Sequence, residues 1–229
     1  MKPISESFDV IKKRLMEIPD EEIPVAPKRP EIKKLLVKEN YDIIDEQLYD
    51  TIFWEIKEKK GFSYLFCGGV GNGKTELAKA IYETLVYLNN PLTPVFITAK
   101  QLWENYISVI KRKDEDAHRD YQEIVNLSER PVFFLDELTR EATITGANTS
   151  MKPVAFIGNI IEKQYEYRKK TKLPVYSIMT ANVDLEELRR IYDEHVFDRL
   201  IEEFQVVVFN NPSYRKKKMK KPIPIGGSR

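Results

Sequence analysis

One cysteine, two histidines and nine glycines among 229 residues leave several chemistries without their usual ligands. A single thiol, Cys67, permits no internal disulfide and no cysteine-based zinc cluster. His118 stands at no spacing that pairs it with other metal ligands, and His195 is expected to pack or face solvent. Long apolar runs are missing too: no uninterrupted stretch approaches the ~18 residues that cross a bilayer, and the opening MKPISESFDVIKKRLMEI has no secretory apolar region. The expectation is a cytoplasmic protein with no membrane partner. Cys67 lies inside an apolar run and reads as a small core residue rather than a nucleophile.

What is present suits one sizeable core, since 42% of the residues are apolar and 11% aromatic. A net charge of +1 conceals an asymmetry, because Arg215, Lys216, Lys217, Lys218, Lys220, Lys221 and Arg229 all fall in the last 19 residues, where there is no acid. That tail reads either as a contact for nucleic-acid phosphates or an acidic partner, or as a solvated extension. At the other end, Pro3, Pro19, Pro24, Pro27 and Pro30 restrict residues 1–31 to a short helix near 9–18 and an extended linker.

Glycine is scarce, yet four of the nine occupy Gly68, Gly69, Gly71 and Gly73, within the stretch FCGGVGNGKTEL. Gly68, four residues, then Gly73-Lys74-Thr75 fits the G-x-x-x-x-G-K-[ST] phosphate-binding pattern. Glycines there permit unusual backbone angles and let successive N–H groups point at anionic oxygens. Gly68, Gly69, Val70, Gly71, Asn72, Gly73, Lys74, Thr75 and Glu76 are therefore the expected cradle for the phosphates of ATP, with Lys74 on the β and γ phosphates and the Thr75 hydroxyl on Mg²⁺. The apolar run 64–67 supplies the strand that must precede such a loop. Leu77, Ala78, Ile81, Leu85 and Leu88 supply the helix that follows, its dipole facing the same anion.

Two further stretches end as a buried strand should where chemistry is done. In RPVFFLDELTR the apolar run 132–135 closes on Asp136 and Glu137. At the carboxyl edge of a parallel sheet Asp136 suits the Mg²⁺ shell and Glu137 a proton from attacking water, the alternative being a strand end capped by solvated acids. In LPVYSIMTANVDLEEL the run 175–179 closes on Thr180, Ala181 and Asn182, whose amide is suited to orient water or, alternatively, to cap the next helix. A helix over 45–59 (Leu48, Ile52, Phe53 and Ile56 on one face), a strand over 93–100 and a helix with Leu102, Tyr106 and Ile110 along one side complete an alternating order. That order argues for a parallel sheet covered on both faces.

With these three strand ends in view the sequence resembles the AAA+ ATPases, and within them the helicase loaders of DnaC and DnaI type and the related IstB transposition ATPases. The resemblance covers about residues 38–216 and is carried best by MTANVDLEELRRIYDEHVFDRLIEEFQVVVFNNPSYR. It implies a five-stranded parallel sheet sandwiched by helices in an ATPase domain over 32–215, flanked by the 1–31 segment and a basic tail over 216–229. Only 47 residues follow Asn182, so the helical lid is expected to be reduced or absent. Position by position, the resemblance makes Asn182 the first sensor, Arg199 an arginine finger offered to a neighbouring subunit, and Arg215 the second sensor. Without it, Arg199 reads equally as a surface ion pair with Glu194 or Glu202, and Arg215 as part of the tail.

The same resemblance implies Mg-dependent ATP hydrolysis in replication, assembly into a homo-oligomer, and a replicative helicase or other DNA-processing partner. An IstB-like transposition helper is the alternative, and a small-molecule P-loop kinase a third. Residues 104–130 would hold an extra helix touching single-stranded DNA through Lys111, Arg112, Lys113 and Arg119, with Tyr106 and Tyr121 as stacking surfaces; an ordinary solvated helix face is the competing reading, because Asp114, Glu115 and Asp116 interrupt the basic residues.

Overall fold

A computed structural model describes residues 46–87, 94–112, 116–143 and 151–210. The expected helix near 9–18, the linker, Leu88, Lys113, Arg215 and the 216–229 tail lie outside the described residues, as does the side chain of Phe53. Helix α1 (Glu46–Lys57) leads into β1 (Phe62–Gly68), the loop, α2 (Lys74–Tyr87) and β2 (Val95–Thr98). Helices α3 (Ala99–Arg112) and α4 (Ala117–Asn126) precede β3 (Val132–Leu138); α5 (Pro153–Lys170), β4 (Tyr176–Ala181), α6 (Leu185–Ile191), α7 (Glu194–Glu203) and β5 (Gln205–Phe209) follow.

The five strands form one parallel sheet in the order β2-β3-β4-β1-β5. Because side chains alternate along a strand, each apolar run splits between two cores. Leu65, Cys67, Phe133, Leu135, Met179 and Ala181 face one way, against α3, α5, α6 and α7. Phe62, Tyr64, Phe66, Val132, Phe134, Tyr176 and Ile178 face the other, against α1 and α2. Near-continuous apolar runs in β1, β3 and β4 therefore mark the three central strands. The expected parallel sheet sandwiched by helices is present.

Two local expectations need correction. Ile110 is 40% exposed, while Trp103 and Val109 join Leu102 and Tyr106 in the core; the buried stripe of α3 leans one residue round from the one expected, because the large Trp103 ring packs against Phe156. Strand β3 does not stop before its acids. It continues through Asp136 and Glu137 to Leu138, with its register against β4 shifted between Leu135 and Leu138. Within this bulge Glu137 has a φ of 57°, and Thr139, just past the strand end, one of 81°, both in the left-handed region that L-residues avoid.

Gly61, at φ 73°, makes the turn into β1, and a Cβ there would sit 2.6 Å from the carbonyl oxygen of Val175. That oxygen already accepts the Phe62 N–H, at 2.9 Å. Gly61→Ala is expected to cost about 2–4 kcal/mol, the sum of a left-handed penalty and a backbone clash. Chemical denaturation would register it as a lower midpoint at unchanged slope; an unshifted midpoint would show that the turn relaxes freely.

Candidate nucleotide site

The loop between β1 and α2 is closed by its own lysine. Lys74, only 3% exposed, donates from Nζ to the carbonyl oxygens of Gly68 (2.8 Å) and Gly69 (2.7 Å) and to Asn72 Oδ1 (2.9 Å). Asn72, equally buried, donates its Nδ2 to the Phe209 carbonyl at the end of β5 (2.7 Å). Its side chain thus tethers the loop to the sheet edge. Gly71 and Gly73 adopt φ of 82° and 96°, and a Cβ on Gly68, at φ 133°, would lie 2.4 Å from that same Phe209 oxygen. Glycine is required at these bends. Val70 is 60% exposed at the loop tip, and the Glu76 side chain turns to Lys79, leaving Glu76 only its backbone N–H for an anion.

Next to the loop, one carboxylate oxygen gathers two strand ends and a helix. Asp136 Oδ1 accepts from Thr75 Oγ1 (2.9 Å) and from Thr180 Oγ1 (2.6 Å). Thr180 Oγ1 in turn accepts the Glu137 N–H at 3.0 Å. The adjacency of β3, β4 and β1 makes this contact possible, and β4 brings Asn182 alongside: Ala181 pairs with Cys67, and the Gly68 N–H donates to the Val183 carbonyl at 3.1 Å. Lys74, Thr75, Asp136, Glu137 and the backbone of Asn182 are thereby brought to one edge of the sheet.

Sequence reasoning missed two participants. Thr180 was read only as a strand end, although a hydroxyl two residues before Asn182 falls opposite the acid pair in a parallel register. Arg140 was not singled out at all; its Nη1 lies 2.7 and 2.8 Å from the two carboxylate oxygens of Glu137. Arg199 is not among the loop residues. Its guanidinium lies 4.2 Å from the Tyr165 ring on α5 and 3.6 Å from Glu202, the ion pair that stood as its competing reading.

The stacking surfaces expected for DNA are corrected in part. Tyr106 is buried and stacks on Phe156 with ring centroids 4.3 Å apart, so its face is taken up by the core. The extra helix is present as α4, but Arg112 pairs with Asp120 at 2.5 Å and Arg119 with Asp116 at 2.9 Å. Lys111 is exposed on the last turn of α3.

Burial pulls the Lys74 ammonium down to about 8, against the opposing pull of Cys67 and Asp136. Burial pushes the Cys67 thiol up to about 11, in keeping with a core residue. A buried, donor-rich lysine beside a hydroxyl and a carboxylate matches the donor set a phosphate chain and its metal require: Lys74 for the β and γ oxygens, Thr75 and Asp136 for Mg²⁺. Among the described residues no group of three or more His, Cys, Asp or Glu could hold a metal by itself, so the remaining metal ligands would be phosphate and water oxygens.

A parallel sheet with this loop after β1 and an acid pair on the next strand but one defines a P-loop nucleoside triphosphatase. The family model for the ATPase family associated with various cellular activities (AAA) matches residues 64–205. The chain belongs to that AAA family and is an ATPase. Among solved structures, a DnaC helicase loader is similar with a TM-score of 0.54 at 19% identity, over 72% of this chain and 89% of that one. AMPPCP-bound DnaA from Aquifex aeolicus gives 0.53 at 13% identity over 74% of this chain, which spans 48% of that protein. Domain III of the Thermotoga maritima replication initiation protein DnaA gives 0.53 at 14% identity, over 77% and 68%. At these identities the likeness is one of fold. A search of curated proteins found no match. No helix among the described residues is long and apolar enough to cross a membrane.

Bound phosphate favours the charged lysine, so nucleotide affinity is expected to be level below about pH 8, where free Lys74 is protonated. Above it, affinity falls by up to tenfold per pH unit, since a proton must then be taken up on binding. Titration with a non-hydrolysable ATP analogue between pH 7 and pH 9.5 measures this. A flat profile would remove Lys74 from phosphate binding.

Proposed function

We propose that this chain is a Mg-ATP-dependent ATPase of DNA replication that works on a ring helicase and single-stranded DNA in the manner of a helicase loader. The observation that carries the hydrolytic part is the Asp136 oxygen shared by Thr75 and Thr180, with Glu137 hung from Thr180. For the replicative part, support comes from the DnaC helicase loader, which this chain matches over 89% of its length.

The chemistry follows from the residues. Lys74 leaves the loop carbonyls for the β and γ phosphate oxygens, exchanging three neutral acceptors for anionic ones. Thr75 and Asp136 would hold Mg²⁺, which would supply neutralising charge to the phosphates. Glu137 accepts the proton of a water whose oxygen bonds to the γ phosphorus; the bond to the β–γ bridging oxygen breaks, and ADP and phosphate leave. Glu137 must first release Arg140. That pair is solvent-exposed on the arginine side, and such pairs are worth about 0–1 kcal/mol, so release is cheap beside the barrier. Asn182 orients the water, and Arg199 of one copy completes the site of the next, with Arg215 contacting the γ phosphate from its own chain.

Glu137→Gln keeps the size of the base and loses its proton affinity. It is expected to bind ATP within about twofold of the unaltered protein and to hydrolyse it at least ~100-fold more slowly. Held in the ATP state, it should co-sediment with a ring helicase and with single-stranded DNA at fixed salt. Full turnover would dismiss Glu137 as the base, and a preference for duplex DNA without helicase capture would favour a transposition helper. A second measurement addresses assembly. Arg199→Ala and Lys74→Ala proteins should each be inactive alone and regain turnover when mixed, since one supplies intact sites and the other intact fingers. Mixtures as inactive as their components would confine Arg199 to its contact with Tyr165.

A further inference from the structure

Glu141 is a buried acid for which the reaction has no use. It is fully enclosed, and its Oε1 accepts the hydroxyl of Tyr192, itself 3% exposed. Its Oε2 is buried without a hydrogen-bond partner among the described residues. Burial raises the Glu141 carboxyl above the usual carboxylate range, against the pull of the Tyr192 hydroxyl and the nearby Glu141 and Thr139 backbone N–H groups. An apolar pair of similar volume would fill the same space without this desolvation cost. A polar pair here calls for a purpose.

The surroundings supply one. Glu141 lies one turn beyond the bulge, close to Glu137 and Thr139 with their left-handed φ. Residues so placed cost roughly 1–3 kcal/mol each and persist only where neighbours over-determine them. Thr180 holds one side of the bulge through the Glu137 N–H, and Leu138 is locked in the core. The far side closes through the Ala142 N–H on the Thr139 carbonyl, 3.0 Å, directly at Glu141. Tyr192 grips it from the joint between two helices: it ends α6, which starts just after Asn182, and its neighbour Asp193 caps α7, which carries Arg199.

We propose that Glu141 and Tyr192 are positioning residues: their hydrogen bond clasps the turn that presents Glu137 and ties it to the α6–α7 joint. The proposal rests on Glu137 being the base. Tyr192→Phe removes only the hydroxyl and keeps the ring in the core, whereas Glu141→Gln keeps the acceptor oxygen and discards the charge. The expected result for Tyr192→Phe is a kcat lower by about tenfold with KM for ATP within about twofold, as for a base displaced by a fraction of an ångström. Amide exchange should quicken in residues 137–142 and remain unchanged in β1 and β4. Glu141→Gln should retain most of the turnover.

Exchange that quickens evenly across the sheet, or a loss confined to KM, would reduce the clasp to ordinary packing and overturn the proposal. Glu141→Gln losing as much kcat as Tyr192→Phe would do the same, since charge would then matter and the clasp would not. Glu137→Gln assayed alongside separates the two readings. If it is inactive, an unchanged kcat in Tyr192→Phe overturns the clasp. If it turns over normally, the base assignment fails, and unchanged exchange in residues 137–142 then overturns the clasp by itself.

Discussion

Three parallel neighbours, β3, β4 and β1, end at the same edge, and the site depends on that adjacency. Parallel strands cannot be joined by a tight turn, so each must be followed by a crossover that leaves from the carboxyl edge. The chain is therefore obliged to put the loop after β1, the acids of β3 and the polar end of β4 within a few ångströms. A single oxygen of Asp136 makes the result tangible, accepting from a helix residue and from a neighbouring strand at once. Moving β4 out from between its neighbours would separate all three.

Much of this was legible because it is written in periodicity. Buried runs mark the central strands, the glycine spacing marks the loop, and Asn182 follows directly on the end of β4. What escaped was of a different kind. A bulge leaves no mark in hydrophobic alternation, so β3 was read as ending at its acids when in fact it bends through them. Thr180 is polar in an apolar run, a signal that was present, but its meaning depends on a register between strands 44 residues apart. Tyr106 misled because aromatic and amphipathic are compatible with both stacking on bases and stacking on Phe156; only the partner decides.

The α5–α7 surface illustrates how little a resting ion pair says about a side chain's task. Arg199 is held by an exposed carboxylate at 3.6 Å and by the face of Tyr165, both weak contacts in solvent. A triphosphate offers a guanidinium stronger, charge-assisted bonds. The same contest applies to Lys74 on its loop acceptors. Arg199 and Lys74 thus rest on weak or neutral partners from which an anion can draw them.

The two halves of the site consequently differ in mechanical character. Around Lys74 the contacts are of an exchangeable kind: three neutral acceptors hold one ammonium. Around Glu137 only the carboxylate's contact with Arg140 is exchangeable; the backbone that carries it is fixed. Two left-handed residues flank a fully buried Leu138, a glycine at either position would remove the strain, and none is present. A glycine at 137 could carry no carboxylate, and at 139 it would free the very turn that aims it. Strain retained beside an acid, and enclosed by core packing and hydrogen bonds from β4, fits a group whose direction must be set before its substrate arrives. Under the proposed roles, a rigid Glu137 facing a yielding Lys74 cradle would let binding adapt while the geometry of proton transfer stays fixed.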